Sequence, residues 1–208
     1  MLFDDSYRTI QEATEGLFKD RGSKFLAFVY PIRSEQEAKD YLAQLRDLHP
    51  KANHHCYAYR LGLDPAGSRN HYRANEDGEP SGSAGRPILN TLYSQDLTNI
   101  LVVVVRYFGG TLLGVPGLIN AYKSATEEAL AQAVVVTKYI CDEYEILFPY
   151  EAMNDVMRVV KSNNLEVTEQ LFEMDCRLLV LVRKTALNQV VPALEEIEKV
   201  KIRYLKTV

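Results

Sequence analysis

The chain has 208 residues, 47% hydrophobic and 25% charged, which is ordinary globular usage and excludes disorder over most of its length. The net charge of −4 divides evenly, with 14 basic and 16 acidic residues up to Thr137 and 10 and 12 after it. Neither half is a basic module in bulk, so any site for nucleic acid or another anion has to be local.

GLFKDRGSKFLAFVYPI (16–32) reads as two β-prone arms around a turn at Asp20-Arg21-Gly22, where Gly22 can supply a positive φ. Pro31 ends the second arm. Ser34 then caps a helix with Glu37 as its capping-box partner, and Ala38, Tyr41, Leu42, Leu45 and Leu48 form one apolar face before Pro50 stops it. HCYAYRL (55–61) has the pattern of a strand. Residues 62–86 replace periodicity with glycine, serine, proline and charge, so they read as a long loop of the kind that is functional or disordered. A short helix is expected over Pro87–Tyr93 and an apolar strand over 99–105. A glycine-rich turn follows, and then a helix from Pro116 or Gly117 with Leu118, Ala121, Tyr122, Ala125, Ala129 and Leu130 inward.

From Lys138 the order is strand, helix, two strands, helix, strand. The first helix has Met153, Val156, Met157 and Val160 inward; Thr185 caps the second, and Pro192 is its weak point. This is the β-α-β-β-α-β order of a ferredoxin-like domain. The expected architecture is therefore α+β with two α/β domains, residues 1–137 and 138–208. Cys56, Cys141 and Cys176 are an odd, widely spaced set, which points to free thiols in a reducing compartment. The start, MLFDDSYRTI, does not read as a secretion signal, and no apolar run is long enough for a membrane span. A cytoplasmic protein without a membrane partner is expected.

RYFGGTLLGVPGLINAY (106–122) carries Gly109, Gly110, Gly114 and Gly117 in no Walker or Gly-x-Gly-x-x-Gly pattern. Such a turn either presents free N–H groups to an anion or only permits a sharp strand-to-helix connection. Backbone geometry is the first expectation for Gly109 and Gly110, with at least one positive φ, and the strand before them is expected to be central and covered on both faces. Arg106, at the strand end, either pairs with a carboxylate or reaches the surface as an anion clamp. In NEDGEPSGSAGRP (75–87), Glu76, Asp77 and Glu79 are possible acid/base or ion-pairing groups, Ser81 and Ser83 possible phosphate partners, and Arg86 a cation; a solvated turn is the plainer reading. Tyr57, Tyr59, Arg60, Arg69, His71, Tyr72 and Arg73 interleave rings and positive charge as base-stacking surfaces do, with core packing favoured for Tyr57 and Tyr59. His54-His55-Cys56 has no second Cys/His cluster to complete a tetrahedral set, so no metal and no cofactor are expected.

Glu79-Pro80-Ser81-Gly82-x-Ala84-Gly85-x-Pro87, followed by Arg106-Tyr107-Phe108-Gly109-Gly110, Leu113-Gly114, Gly117-Leu118 and Ala121-Tyr122, resembles the YigZ/IMPACT family. GSKFLA (22–27) and HHCYAY (54–59) add to the likeness. Val105 stands where threonine is expected, and Pro116 where a glycine often falls. The resemblance implies two domains similar to domains IV and V of elongation factor G, and a kinship with translation regulators. It brings no established catalytic activity. The function expected is that of a non-enzymatic cytoplasmic regulator of translation, associated with RNA or the ribosome and open to a protein partner of the translation machinery. Its nucleic-acid or anion contacts would be Arg69, Tyr72, Arg73, Ser81, Arg86, Arg106, Gly109 and Gly110. The alternatives are an enzyme acting on a phosphorylated small molecule in the cleft of the 62–86 loop and the Arg106–Gly110 turn, and a protein-interaction module using the open sheet face of the second domain.

Overall fold

The structure is a computed structural model in which residues 5–62 and 71–208 are described. The chain divides into two compact units: Tyr7–Thr137, and Lys138–Val208 together with Asp5 and Ser6.

The first unit contains β2 (Thr14–Asp20), β3 (Ser23–Pro31), α1 (Glu35–Leu48), β4 (His54–Leu61), β5 (His71–Asn75), α2 (Gly85–Ser94), β6 (Ile100–Tyr107) and α3 (Gly114–Ala131), with most of β1 (Ser6–Ile10) and β7 (Val135–Tyr139), whose outer ends, Ser6 and Lys138–Tyr139, fall in the second. β1 pairs with β7, and the other strands form an antiparallel sheet in the order β2-β3-β6-β4-β5. The apolar run of β6 now has its reason. Ile100, Val102 and Val104 enter one core, with Ile88 and Leu92 of α2 and Leu118, Ala121 and Ala125 of α3. Leu101, Val103 and Val105 enter a second, with Ala38, Leu42 and Leu45 of α1 and with Tyr57 and Tyr59. Successive side chains of a strand alternate between faces, so a central strand covered on both sides has no polar face to show.

The local signals hold with adjustments. Arg21 (φ 44°) and Gly22 (φ 80°) form the two-residue turn between β2 and β3. Ser34 Oγ accepts the N–H of Glu37, but the Glu37 carboxylate turns to the N–H of Arg33, not to that of Ser34. Leu48, expected on the buried face of α1, is 72% exposed in the helix's last turn. The 62–86 stretch is not all loop, because it contains the edge strand β5. α2 and α3 each begin two residues before their prolines, which sit in the first helical turn where no N–H is needed.

The second unit contains β8 (Cys141–Pro149), α4 (Met153–Ser162), β9 (Glu166–Leu171), β10 (Asp175–Arg183), α5 (Leu187–Glu195) and β11 (Lys201–Thr207), in an antiparallel sheet ordered β11-β8-β10-β9. Ile146, Phe148, Leu178, Val180 and Val182 pack beneath Val156 and Val160 of α4 and Val190 and Leu194 of α5. Thr185 does not cap α5. It lies in a 3-10 turn over Lys184–Ala186, and both its hydroxyl (2.6 Å) and its N–H (3.0 Å) donate to Asp5 Oδ2. These bonds and the Arg183 guanidinium outweigh burial and hold the Asp5 carboxyl down at about 2. On the face opposite the helices, Glu145 accepts from Arg177 Nε (2.7 Å) and pairs with Arg203 (2.9 Å).

Candidate functional site

β6 delivers Arg106 between Phe25 of β3 and His54 of β4, its cross-strand neighbours. The 75–85 segment is tied down against this strand end. Asn75 Oδ1 accepts the N–H of Asp77, which takes φ 43° and leads into Gly78 at φ 89°. Asp77 Oδ2 accepts the N–H of His55 (2.7 Å), and its carbonyl accepts from His54 Nδ1 (2.8 Å). A carbonyl can only accept, so His54 donates from Nδ1, and its Nε2 is turned toward Glu79. The Glu76 carboxylate accepts the amides of Ala84 (2.7 Å), Gly85 (2.9 Å) and Arg86 (3.3 Å), so it caps α2, whose own N-cap residue, Ala84, has no side chain to do so. Ser83, fully buried, donates to the Pro80 carbonyl at 2.6 Å.

This scaffold buries Glu79. Its Oε1 accepts from Arg106 Nη1 (2.5 Å) and from the Tyr122 hydroxyl (2.8 Å), and lies 3.8 Å from His54 Nε2. The Cys56 thiol lies 3.2 Å from the Tyr122 hydroxyl and 3.0 Å from the Glu76 carbonyl. Burial pushes the Tyr122 hydroxyl far above its usual range, with the Cys56 and Glu79 groups adding to it. Burial likewise pushes the Cys56 thiol up. Cys56 is therefore a neutral thiol and a poor nucleophile. Arg106 is 5% exposed, its guanidinium 5.4 Å from the Phe25 ring centre and 5.5 Å from that of Phe108, and its Nε has no hydrogen-bond partner among the described residues. Of the two roles open to it in the sequence, it takes the carboxylate pair and not the surface clamp.

At the glycine turn, two amides that a cradle would present are already engaged. Phe108 N–H donates to Asn53 Oδ1 (2.8 Å), and Gly109 N–H to Ser23 Oγ (3.1 Å). Gly110 has φ 87° and open space where a Cβ would stand.

The residues singled out in the sequence do not converge. Tyr72 and Arg73 are exposed on β5, where Tyr72 meets Tyr93 edge-on at 6.0 Å and Arg60 lies 4.3 Å over the Tyr93 ring. Ser81 and Arg86 are exposed around the start of α2, and Asp77 also meets Arg46 at 3.4 Å. Arg69 lies outside the described residues. His55 is buried with Nε2 unpartnered among the described residues, and burial pulls its pKa below the ordinary value. Among the described residues no group of three or more His, Cys, Asp or Glu is placed to hold a metal ion. Sequence reasoning missed the joining of Tyr122, His54 and Cys56 around Glu79. One signal was there: a tyrosine in a stripe otherwise built of alanine and leucine needs a partner for its hydroxyl.

The model of the Impact N-terminal domain matches residues 21–130. An IMPACT family member of Thermus thermophilus is 40% identical over 149 residues, 71% of this chain and 76% of that protein. YvyE of Bacillus subtilis, also an IMPACT family member, is 39% identical over 134 residues, 64% of this chain, and the match spans 59% of its length. The crystal structure of a hypothetical protein superposes over 98% of this chain and 99% of its own with a TM-score of 0.70, at 24% identity, a likeness of fold. The matched domain and the relatives' identity place it: the chain belongs to the IMPACT family.

Proposed function

We propose that this chain is a non-enzymatic cytoplasmic protein that associates with RNA or the ribosome and regulates translation, in company with a protein of the translation machinery. The translation role rests on membership of a family whose likeness is to translation regulators. The observation that carries the non-enzymatic part is the engagement of the loop carboxylates. Glu76 caps α2, Asp77 holds β4 and Arg46, and Glu79 is closed between Arg106 and Tyr122. A general acid or base has to reach a substrate proton, and these groups face their own backbone and side chains. What the same scaffold turns outward is Tyr72, Arg73 and Arg86.

Backbone phosphate contacts make affinity fall with salt. Replacing Arg73 and Arg86 by alanine should weaken binding to RNA or ribosomal subunits and flatten the salt dependence by about 1.4 in log–log slope for a single strand, with Tm nearly unchanged. Absence of any salt-dependent binding of the wild type to RNA and ribosomal subunits would end this reading. The enzyme alternative has one observation in its favour: the partly exposed His54 points Nε2 at the Glu79–Arg106 pair, where Arg106 Nε is unpartnered.

A further inference from the structure

β5 closes one edge of the first unit's sheet, beside β4. Residues directly across an antiparallel ladder share a face. Tyr72 stands across from Arg60, so both side chains leave the sheet on one side, whereas Arg73, across from Tyr59, leaves it on the other. The side that Tyr72 and Arg60 take is that of α2. Arg60 Nη1 donates to the carbonyls of Leu97 (2.7 Å) and Leu92 (3.4 Å), and its Cζ lies 4.3 Å over the Tyr93 ring. The Tyr93 and Tyr72 rings meet at 6.0 Å with their planes 76° apart. The three side chains close a triangle, and its two rings, 54% exposed at Tyr72 and 40% at Tyr93, form a corner open to water.

A guanidinium on the last carbonyls of a helix is a common way to satisfy them, and that accounts for Arg60. It does not account for the exposed rings beside it. Among the described residues from His49 to Tyr107, Tyr72 and Tyr93 are the only large hydrophobic side chains that are exposed. The other exposed residues of α2 are Arg86, Asn90 and Ser94. A protein-docking patch sets its aromatic anchors in apolar surroundings that exclude water. Rings set among cations and small polar groups suit a stacked base and its phosphates. Arg86, Asn90 and Tyr93 follow at four- and three-residue steps, so they line one stripe of α2, with Arg86 about 10 Å before Tyr93. At the other end of the helix the exposed Arg8 donates from Nη1 to the Gln95 carbonyl (2.9 Å). A guanidinium has further N–H donors, and neither Arg8 nor Arg86 forms an ion pair among the described residues. Cations thus stand at both ends of the helix that carries the corner.

We infer that Tyr72 and Tyr93 are a stacking corner for a base of single-stranded RNA, with Arg8 and Arg86 on phosphates at either end of α2. Arg60 is the positioning residue that holds the Tyr93 ring. The inference rests on the RNA reading above and deepens it: Tyr93, Arg60 and Arg8 join the site, and Arg73 belongs to the other face.

The test is fluorescence anisotropy of a short labelled single-stranded RNA across a series of KCl concentrations, repeated with an abasic strand of the same length and with ribosomal subunits. Tyr72→Leu/Tyr93→Leu keeps apolar bulk and removes both rings. It should bind the RNA about 5–150-fold more weakly, keep the wild-type salt slope and Tm, and bind the abasic strand as the wild type does. Tyr72→Phe/Tyr93→Phe keeps the rings and should bind as the wild type. Arg8→Gln/Arg86→Gln should bind both strands more weakly and lose about 1.4 from the slope. Wild-type affinity for RNA in the leucine variant would overturn the corner, and weakened binding by Arg73→Ala/Arg86→Ala beside it would leave the general reading standing. No binding of RNA or subunits by the wild type would overturn both. Subunit binding that the leucine variant loses, with no RNA binding by any form, would overturn RNA as the ligand and make the corner a protein contact.

Discussion

Gly109 and Gly110 are adjacent, yet alanine should cost very different amounts at the two. At Gly109 a Cβ would lie 2.0 Å from the Gly22 carbonyl carbon and 2.2 Å from the Ser23 nitrogen. Both obstacles are backbone, fixed by the β2–β3 turn and by the β3–β6 ladder that pairs Lys24 with Tyr107. Relief needs the hairpin tip to lift off the end of β6, which also breaks the Gly109–Ser23 bond. Overpacking typically costs about 1–3 kcal/mol and a lost hydrogen bond about 1 kcal/mol, so Gly109→Ala should lose about 3 kcal/mol or more. Gly110 has no neighbour within 4 Å of its Cβ position, and only its φ of 87° resists a side chain. Alanine there should cost about 1 kcal/mol. Urea unfolding followed by far-ultraviolet circular dichroism reads both, through a shift in midpoint at constant m. Equal costs, or a cheaper Gly109→Ala, would refute the close-approach argument. A Gly110→Ala variant of unchanged stability that no longer binds RNA would show that the turn is an anion cradle.

Glu79→Gln separates the two functional readings: turnover of a phosphorylated metabolite by the wild type, falling about 10²–10⁴-fold in the variant, would establish the enzyme, whereas a binder should show only reduced stability in thermal melts. His55 is held neutral by burial, so in acid the unfolded chain takes up a proton that the native state refuses. Its contribution to stability is complete above the ordinary histidine pKa of about 6.5 and is lost as pH falls below it. Replacing it with glutamine should flatten urea midpoints measured between about pH 7 and 5, where one such proton changes stability by at most about 1.4 kcal/mol per pH unit, and an unchanged profile would assign the acid sensitivity elsewhere.

The parts of the fold that could be read were those where one physical demand acts alone. Ile100–Val105 could only be a strand buried on both faces, and the 3.6- and 2-residue alternations after Lys138 translate directly into helices and strands. β5 was illegible because an edge strand whose first four residues are all exposed, His71 to Ala74, shows no alternation. β7 was missed because Thr137, read as the domain cut, lies inside the strand Val135–Tyr139. The cap of α2 was illegible for a different reason. A cap normally sits next to the helix it serves, but the carboxylate here comes from Glu76, eight residues before the Ala84 amide it binds, and chain folding alone brings it there.

The same non-locality explains why Arg106 looked like a ligand clamp. From the sequence, its partner had to be guessed among Glu76, Asp77 and Glu79. The choice was made by three turns of scaffold: Glu76 taken by α2, Asp77 by β4, and Glu79 left facing β6 and α3. Such a buried pair adds little net stability, because desolvation offsets the attraction, but a lone survivor is expensive. Arg106→Met should therefore cost about 3–5 kcal/mol, by leaving the Glu79 carboxylate buried with the Tyr122 hydroxyl and, 3.8 Å away, His54 Nε2. Adding Glu79→Leu should recover much of that loss, since an apolar replacement of both partners removes the stranded charge. Recovery of stability should not restore order in the loop. Glu79 is the residue that joins the 75–85 segment to β6 and α3 through a single oxygen, so the double variant should exchange its Ser81–Gly85 amide hydrogens faster than the wild type at matched global stability. A double variant as unstable as Arg106→Met, or one with wild-type exchange across that loop, would mean that the pair neither strands a charge nor fixes the surface from which Arg86 projects.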